Sequence, residues 1–372
     1  MSTNFIDGND ACGAGAIAAG CDFFAGYPIT PATSIYNYML NALPAKDGVC
    51  LQGEDEIASI GYCIGAAMAG KKVMTATSGP GISLYSENIS FAIGSEIPLV
   101  IVNVQRLGPS TGSATKGADG DVNFVRYCNT GGIPSYVLAP SDVQDCYMLT
   151  VHAFNIAEKL RCPVFILSNK EIALTKQSVD LKAIKVPRIV NRVQAENHID
   201  FLPFKVDSDQ AAPLFLPIGS EILVRQTSST HGINGYITID PTEINDINLR
   251  LQKKIDKSLD DFLFYDELLK PNSDTLIITY GISSSSAIEA SYLAEQNSQN
   301  ISVLTLKTLW PVCEELIREK AKNFNNILVV EMNQGQYVNE IRRVLGDKKV
   351  QFLGRMNGNL IKPREILEVI NK

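Results

Sequence analysis

The chain has 372 residues, 45% hydrophobic and 20% charged, an ordinary balance for a globular protein that excludes disordered and collagen-like classes. That length allows two domains and a sizeable core. A net charge of −7 and a pI near 5.2 argue against nucleic acid as the main partner, because phosphate binding needs a basic face.

In chain order, the pattern predicts a strand over 21–27, a helix from about Thr33, and a helix over 57–70 with Ile57, Ile60, Ile64, Ala67 and Met68 at helical spacing. A strand at 73–77 then runs into a Gly79-Pro80-Gly81 turn. A helix over 82–94, strands at 99–105 and 135–139, a helix over 142–159 and a strand at 164–168 follow. Such alternation implies an α/β fold, a parallel sheet with helices on both faces. From about 178 to 245 the pattern loosens around Pro187, Pro203, Pro213 and Pro217. Helical spacing resumes at 246–264. A second, smaller α/β unit follows Pro271, with strands at 276–280, 303–306, 327–331 and 350–353 and helices at 284–296, 312–323 and 336–345. The expected division is therefore 1–180, an extended connector over 181–270, and 271–372.

No run of about 18 apolar residues is present, and the opening MSTNFIDGNDACGAG has acids where a signal peptide needs a basic region, so a cytoplasmic protein with no membrane partner is expected. The eight cysteines form no C-x-x-C pair and predict neither a zinc site nor an iron–sulfur cluster; reduced, buried thiols are expected. His152, His198 and His231 are scattered, and no G-x-S-x-G elbow is present. Gly13-Ala14-Gly15-Ala16-Ile17-Ala18 fits a dinucleotide fingerprint, but no strand is expected before it, so a close-packed small-residue helix is the better reading. Asp119-Gly120-Asp121-Val122-Asn123 similarly reads as a capped turn rather than an ion site, and Tyr280-Gly281-Ile282-Ser283-Ser284 as a simple turn into a helix.

Three blocks sit where strands end: Gly26-Tyr27-Pro28-Ile29-Thr30-Pro31; Glu54-Asp55-Glu56 with Thr77-Ser78-Gly79-Pro80-Gly81; and Gln105-Arg106-Leu107-Gly108-Pro109 with Ser110-Thr111-Gly112. Ligands of open parallel sheets bind at the carboxyl ends of strands, so one crevice would collect Thr30, Glu56, Ser78 and Arg106. For the three acids, a solvated helix start is an equal reading at this point.

Glu56 lies nine residues before Gly65, and this spacing resembles the helix of thiamine-diphosphate enzymes whose glutamate meets the aminopyrimidine ring. With Lys307-Thr308-Leu309-Trp310-Pro311 and Glu331-Met332-Asn333-Gln334-Gly335-Gln336-Tyr337, the blocks together resemble the alpha subunit of 2-oxoacid:ferredoxin oxidoreductases, most closely the 2-oxoglutarate type. The resemblance covers nearly the whole chain. It implies a pyrimidine-binding domain of the thiamine-diphosphate type at 1–180 and a transketolase C-terminal-like domain at 271–372. It also implies oxidative decarboxylation of a 2-oxoacid with coenzyme A and ferredoxin, on thiamine diphosphate shared with a beta subunit. That subunit would hold the magnesium and a [4Fe-4S] cluster, sometimes beside gamma and delta subunits.

By the same resemblance Glu56 is catalytic, and Pro28, Ile29, Thr30, Glu56 and Ser78 face the cofactor. Thr30 and Arg106 would hold the substrate's 1-carboxylate, and Lys116 a distal one. Ser113-Ala114-Thr115-Lys116-Gly117-Ala118-Asp119 departs from the family's usual proline- and glutamine-containing segment, as does Ser229-Thr230-His231-Gly232-Ile233 from its histidine segment. A branched-chain acid (3-methyl-2-oxobutanoate) or pyruvate therefore stays open, as do the beta component of a 2-oxoacid dehydrogenase complex and a non-catalytic scaffold.

Overall fold

A computed structural model describes residues 4–196, 200–207 and 211–372; His198 lies outside them. The first region runs β1 (Asn4–Ile6), α1 (Gly8–Ala18), β2 (Phe23–Gly26), α2 (Thr33–Ala42), β3 (Val49–Gln52), α3 (Glu56–Met68), β4 (Val73–Thr77), α4 (Gly79–Leu84), α5 (Ser86–Gly94) and β5 (Leu99–Gln105). It continues through α6 (Val122–Tyr127), β6 (Tyr136–Leu138), α7 (Val143–Leu160), β7 (Pro163–Asn169), α8 (Lys170–Leu174) and β8 (Gln177–Val179). Beyond β8 come α9 (Pro241–Asp256), β9 (Tyr265–Leu268), β10 (Thr275–Thr279), α10 (Ser283–Glu295), β11 (Ile301–Leu306), β12 (Thr308–Trp310), α11 (Glu314–Ala321), β13 (Asn326–Glu331), α12 (Val338–Leu345), β14 (Val350–Gly354) and α13 (Pro363–Ile370).

The first sheet is seven-stranded, ordered β12-β6-β7-β5-β4-β2-β3, and every pairing is parallel except that of β12 with β6. Its central strands β4, β5 and β7 are buried throughout, as a sheet covered by helices on both faces requires. The second sheet, β14-β13-β10-β11-β9, is parallel apart from its edge strand β9. Both sheets are thus mixed rather than wholly parallel. Five strands, β1, β3, β8, β9 and β12, lie where the sequence pattern suggests none, because three or four residues on an edge carry too little alternation to register.

Segment 79–84 is the first turn of a helix, not a free turn: Pro80 sits at its start, where a missing N–H costs nothing. The pair Gly13/Gly15 lies inside α1, and a Cβ on Gly15 would stand 2.5 Å from Tyr147 O of α7, so close helix packing explains the small residues. A three-residue strand, β1, does precede that helix; it pairs with β8 in a separate two-stranded sheet and so does not make a dinucleotide fold.

Buried ion pairs fasten the segment between β8 and β9 to the helices around the first sheet. Glu158 accepts from Arg192 at 2.6 Å, while Arg192 also donates to Ala67 O and Lys71 O at the end of α3. Glu96, fully buried, meets Lys254 at 2.7 Å and also Arg250, both on α9. Burial alone would raise its pKa, but those two cations hold it at about 2. His231 stacks on Phe204 with ring centroids 3.8 Å apart and points its ring nitrogens at Gly232 O and Gly94 O, a packing role within the connector. One apolar core continues from Ile60 and Ile82 through Trp310 and Tyr337 to the second sheet. All eight cysteines are free, and among the described residues no helix is long and apolar enough to cross a membrane.

Candidate active site

The ends of β5, β4, β2 and β3 stand side by side, and each delivers one predicted residue: Arg106, Ser78, Thr30 and, after a short loop, Glu56. The three acids before α3 sort into three roles. Asp55 is the N-cap, accepting from Ala58 N at 2.7 Å. Glu54 is exposed, and Glu56 is only 8% exposed. A Cβ on Gly81 would lie 2.9 Å from Glu56 Cγ and Oε1 and would also collide with Thr77 Oγ1, so only glycine lets β4, α4 and Glu56 meet. No hydrogen bond or ion pair holds the Glu56 carboxylate among the described residues.

Arg106, 5% exposed, donates through Nη1 to Thr30 O at 2.6 Å and through Nη2 to Thr111 O at 3.0 Å. The first bond joins the first and third sequence blocks, the second ties the third block to itself, and Nε is left buried without a partner, against Gly79. The Thr30 hydroxyl is exposed and unbonded. Burial pushes the guanidinium pKa down, opposed by the nearby Asp121. Pro28 and Ile29 are half-buried under Thr30, Ile29 against the core. Lys116 returns to the base of this loop, its carbonyl accepting from Leu107 N at 2.8 Å. Its exposed side chain runs over the second domain, where a Cβ on Gly358 would lie 2.8 Å from Lys116 Cβ.

Sequence reasoning passed over Thr77, Asn103 and Asp121. Thr77 and Asn103 are register partners at the ends of β4 and β5, and Thr77 Oγ1, Ser78 Oγ and Asn103 Oδ1 are all buried without hydrogen bonds. Asn103 Nδ2 donates to Asp121 Oδ2 at 2.9 Å. Burial raises the Asp121 pKa against that bond and the Arg106 charge. Asp121 precedes α6 but makes no side-chain cap, so segment 119–123 faces this site rather than merely closing a turn. The available signal was LVIVNVQ, whose Asn103 and Gln105 are the polar positions of an otherwise apolar strand. The Tyr280–Ser284 turn, by contrast, faces an acid: a Cβ on Gly281 would lie 3.4 Å from Asp119 Oδ2, so no anion is favoured there.

Four buried polar atoms without partners therefore converge beside one unpaired carboxylate. Such atoms are costly unless something binds them, and this mix of hydroxyls, amide, guanidinium N–H and carboxylate suits an aminopyrimidine ring with a small carboxylate beside it. The residues present fit the pyrimidine side of thiamine diphosphate.

The sequence profile described as "Pyruvate flavodoxin/ferredoxin oxidoreductase, thiamine diP-bdg" matches residues 14–246, and that of "Pyruvate:ferredoxin oxidoreductase core domain II" matches residues 273–366. The chain belongs to the 2-oxoacid:ferredoxin oxidoreductase family. Among curated members it is 38% identical to the 2-oxoglutarate synthase subunit KorA of Methanothermobacter thermautotrophicus, over 99% of this chain and 98% of that one. It is 35% identical to the ketoisovalerate oxidoreductase subunit VorB of the same organism, over 100% and 98%. Among solved structures, the 2-oxoglutarate:ferredoxin oxidoreductase of Magnetococcus marinus, with 2-oxoglutarate, coenzyme A and succinyl-CoA bound, superposes with a TM-score of 0.92 at 31% identity. That match covers 99% of this chain and 65% of the longer chain. A split-gene transketolase in an inactive beta4 tetramer shares the fold alone, with a TM-score of 0.56 at 14% identity and coverage of 99% and 98%.

Proposed function

We propose that this chain is the alpha subunit of a 2-oxoglutarate:ferredoxin oxidoreductase, which converts 2-oxoglutarate and coenzyme A to succinyl-CoA and carbon dioxide while reducing ferredoxin. The observation that carries the reading is Arg106 anchored to Thr30 O with Nε left free against Gly79, at the same β4–α4 junction whose Gly81 abuts the unpaired Glu56. Bound thiamine diphosphate supplies the carbanion chemistry that decarboxylation needs.

Glu56 holds and returns a proton at the ring nitrogen of the aminopyrimidine. Its low exposure keeps that exchange away from bulk water. Arg106 Nε and the Thr30 hydroxyl take the substrate's 1-carboxylate, the guanidinium contributing a charge-assisted hydrogen bond from a position already fixed by two carbonyls. Ser78 and Asn103 line the floor between the two. Lys116, at the base of the same loop, takes the distal carboxylate that distinguishes 2-oxoglutarate.

The diphosphate, magnesium and a [4Fe-4S] cluster belong to a beta subunit. Surface beside Glu56 supports its docking there: Ile57 and Tyr62 are 49% and 46% exposed, and Cβ positions at Gly61 and Gly65 meet nothing within 4 Å. An uncovered apolar helix face with room for close backbone approach suits a second subunit.

The test is coenzyme A-dependent viologen reduction by the chain purified with its native partner, across a panel of 2-oxoacids. The highest kcat/KM is expected with 2-oxoglutarate, and the chain alone should be colourless and inactive. A higher value with 3-methyl-2-oxobutanoate would move the assignment to the ketoisovalerate branch. Reduction by none of the acids would overturn it.

A further inference from the structure

Loop 331–337 of the second domain touches none of the candidate site residues, yet its polar groups reach across the domain boundary. Asn333 Nδ2 donates to Asp119 O at 2.9 Å, and Met332 O accepts from Asp119 N at 2.9 Å. Gln336 Nε2 donates to Gly120 O at 2.6 Å, while its Oε1 accepts from Asn123 N at 2.8 Å. A single loop thus holds segment 119–123 at both ends.

The other side of that segment holds the site. Asp121 N donates to Gln105 Oε1 at 2.9 Å, and Asp121 Oδ2 accepts from Asn103 Nδ2 at 2.9 Å. Between Arg106 and Asp121 the chain forms no helix or strand, only turns and an isolated bridge from Leu107 to Ser113. Its shape is therefore set by what it touches. The second domain presses on it again through Met356, 3.1 Å from where a Gly120 Cβ would be, and through the Gly358 contact with Lys116.

We propose that Gln336 and Asn333 are positioning residues for substrate binding: through segment 119–121 they set how Asp121 and Asn103 stand against Arg106. This rests on the reading that Arg106 and Thr30 hold the 2-oxoacid carboxylate. Asp121 is the negative charge beside that guanidinium, so shifting it changes the field a substrate carboxylate must enter. Glu56, beyond both β4 and β2 in the strand order, is untouched by the shift. The effect therefore falls on substrate binding rather than on proton transfer.

Gln336 is the cleaner probe, because it is half-buried, whereas buried Asn333 also bonds Glu331 and Tyr280. In the assembled enzyme, Gln336→Met keeps the bulk of the side chain but removes both hydrogen bonds, and Gln336→Ala removes the bulk as well. The methionine variant carries the test should the alanine variant unfold. Exposed Gln334→Ala is the control. The expected result for Gln336→Met is a KM for the 2-oxoacid raised about 10-fold, with kcat within about twofold and the coenzyme A KM unchanged. In an Arg106→Ala background the same change should add less than about twofold, because the group it positions is gone. A merely structural role would lower thermal stability and act equally in both backgrounds, and that pattern overturns the proposal. A raised KM in Arg106→Ala with no rise in Gln336→Met overturns the positioning role alone; an unchanged KM in Arg106→Ala overturns both it and the carboxylate reading beneath it.

Discussion

Glu331 and Glu56 are both buried glutamates set between a strand end and the start of a helix, and their surroundings treat them in opposite ways. Glu331, fully buried, accepts from Tyr280 Oη at 2.7 Å, Asn333 Nδ2 at 2.9 Å, and the Tyr337 and Val338 N–H groups at 3.0 Å each. Its oxygens accept from the first turn of α12 and their lone pairs are satisfied. Glu56, by contrast, opens α3 with no partner, among four more side chains with an unsatisfied atom on or just after β4 and β5. Saturation marks the carboxylate that holds the fold, and the lack of partners marks the one proposed to act on a ligand.

The contrast breaks most visibly at Glu331. Replacing it by alanine leaves a phenol O–H and two backbone N–H groups unpaired, and should cost about 4 kcal/mol in denaturant unfolding. A cost under about 1 kcal/mol would show that the network is not structural. Glu56→Gln should do the reverse, leaving the unfolding midpoint unchanged while kcat of the assembled enzyme falls by ~100-fold or more. Near-normal viologen reduction would remove Glu56 from the chemistry.

Asp119 sharpens the comparison from between the two extremes. Its Oδ1 accepts from Asn169 Nδ2 at 2.8 Å, while Oδ2 is buried without a partner. Burial pushes its pKa to about 7, against the Asn169 bond and helped by Glu331 and Asp121. The folded state therefore keeps a proton that the unfolded chain releases near 3.8, so this group's contribution to stability is full below about pH 4 and declines until about pH 7. Asp119→Asn should flatten that decline and raise stability at pH 8 by roughly 1–3 kcal/mol. An unchanged slope between pH 4 and 7 would mean that the carboxyl is not held protonated.

How much of this was legible follows from the range of each interaction. Helix α3, strands β4 and β5, and the convergence of Thr30, Glu56, Ser78 and Arg106 rest on local periodicity and on the rule that ligands meet strand ends, both readable in one chain. Asn103 was readable in principle, as an amide in a strand buried on both faces. The contacts of Gln336, 213 and 216 residues from Asn123 and Gly120, left no local trace. Nor did the direction of Lys116, which depends on Gly358. Edge strand β12 was hidden for another reason: Thr308-Leu309-Trp310 is buried like a core segment but belongs to the sheet of the other domain.

That strand also bears on how the protein is born. On the ribosome, β6 emerges with its outer edge bare, and the residues that cover it are made 170 positions later, from Leu138 to Thr308. At 5–20 residues per second the nascent sheet waits roughly 10–30 s with an open ladder of N–H and C=O groups. A ribosome that stalls within the connector would release an N-terminal fragment with that edge exposed, a template for pairing with its neighbours on the same message.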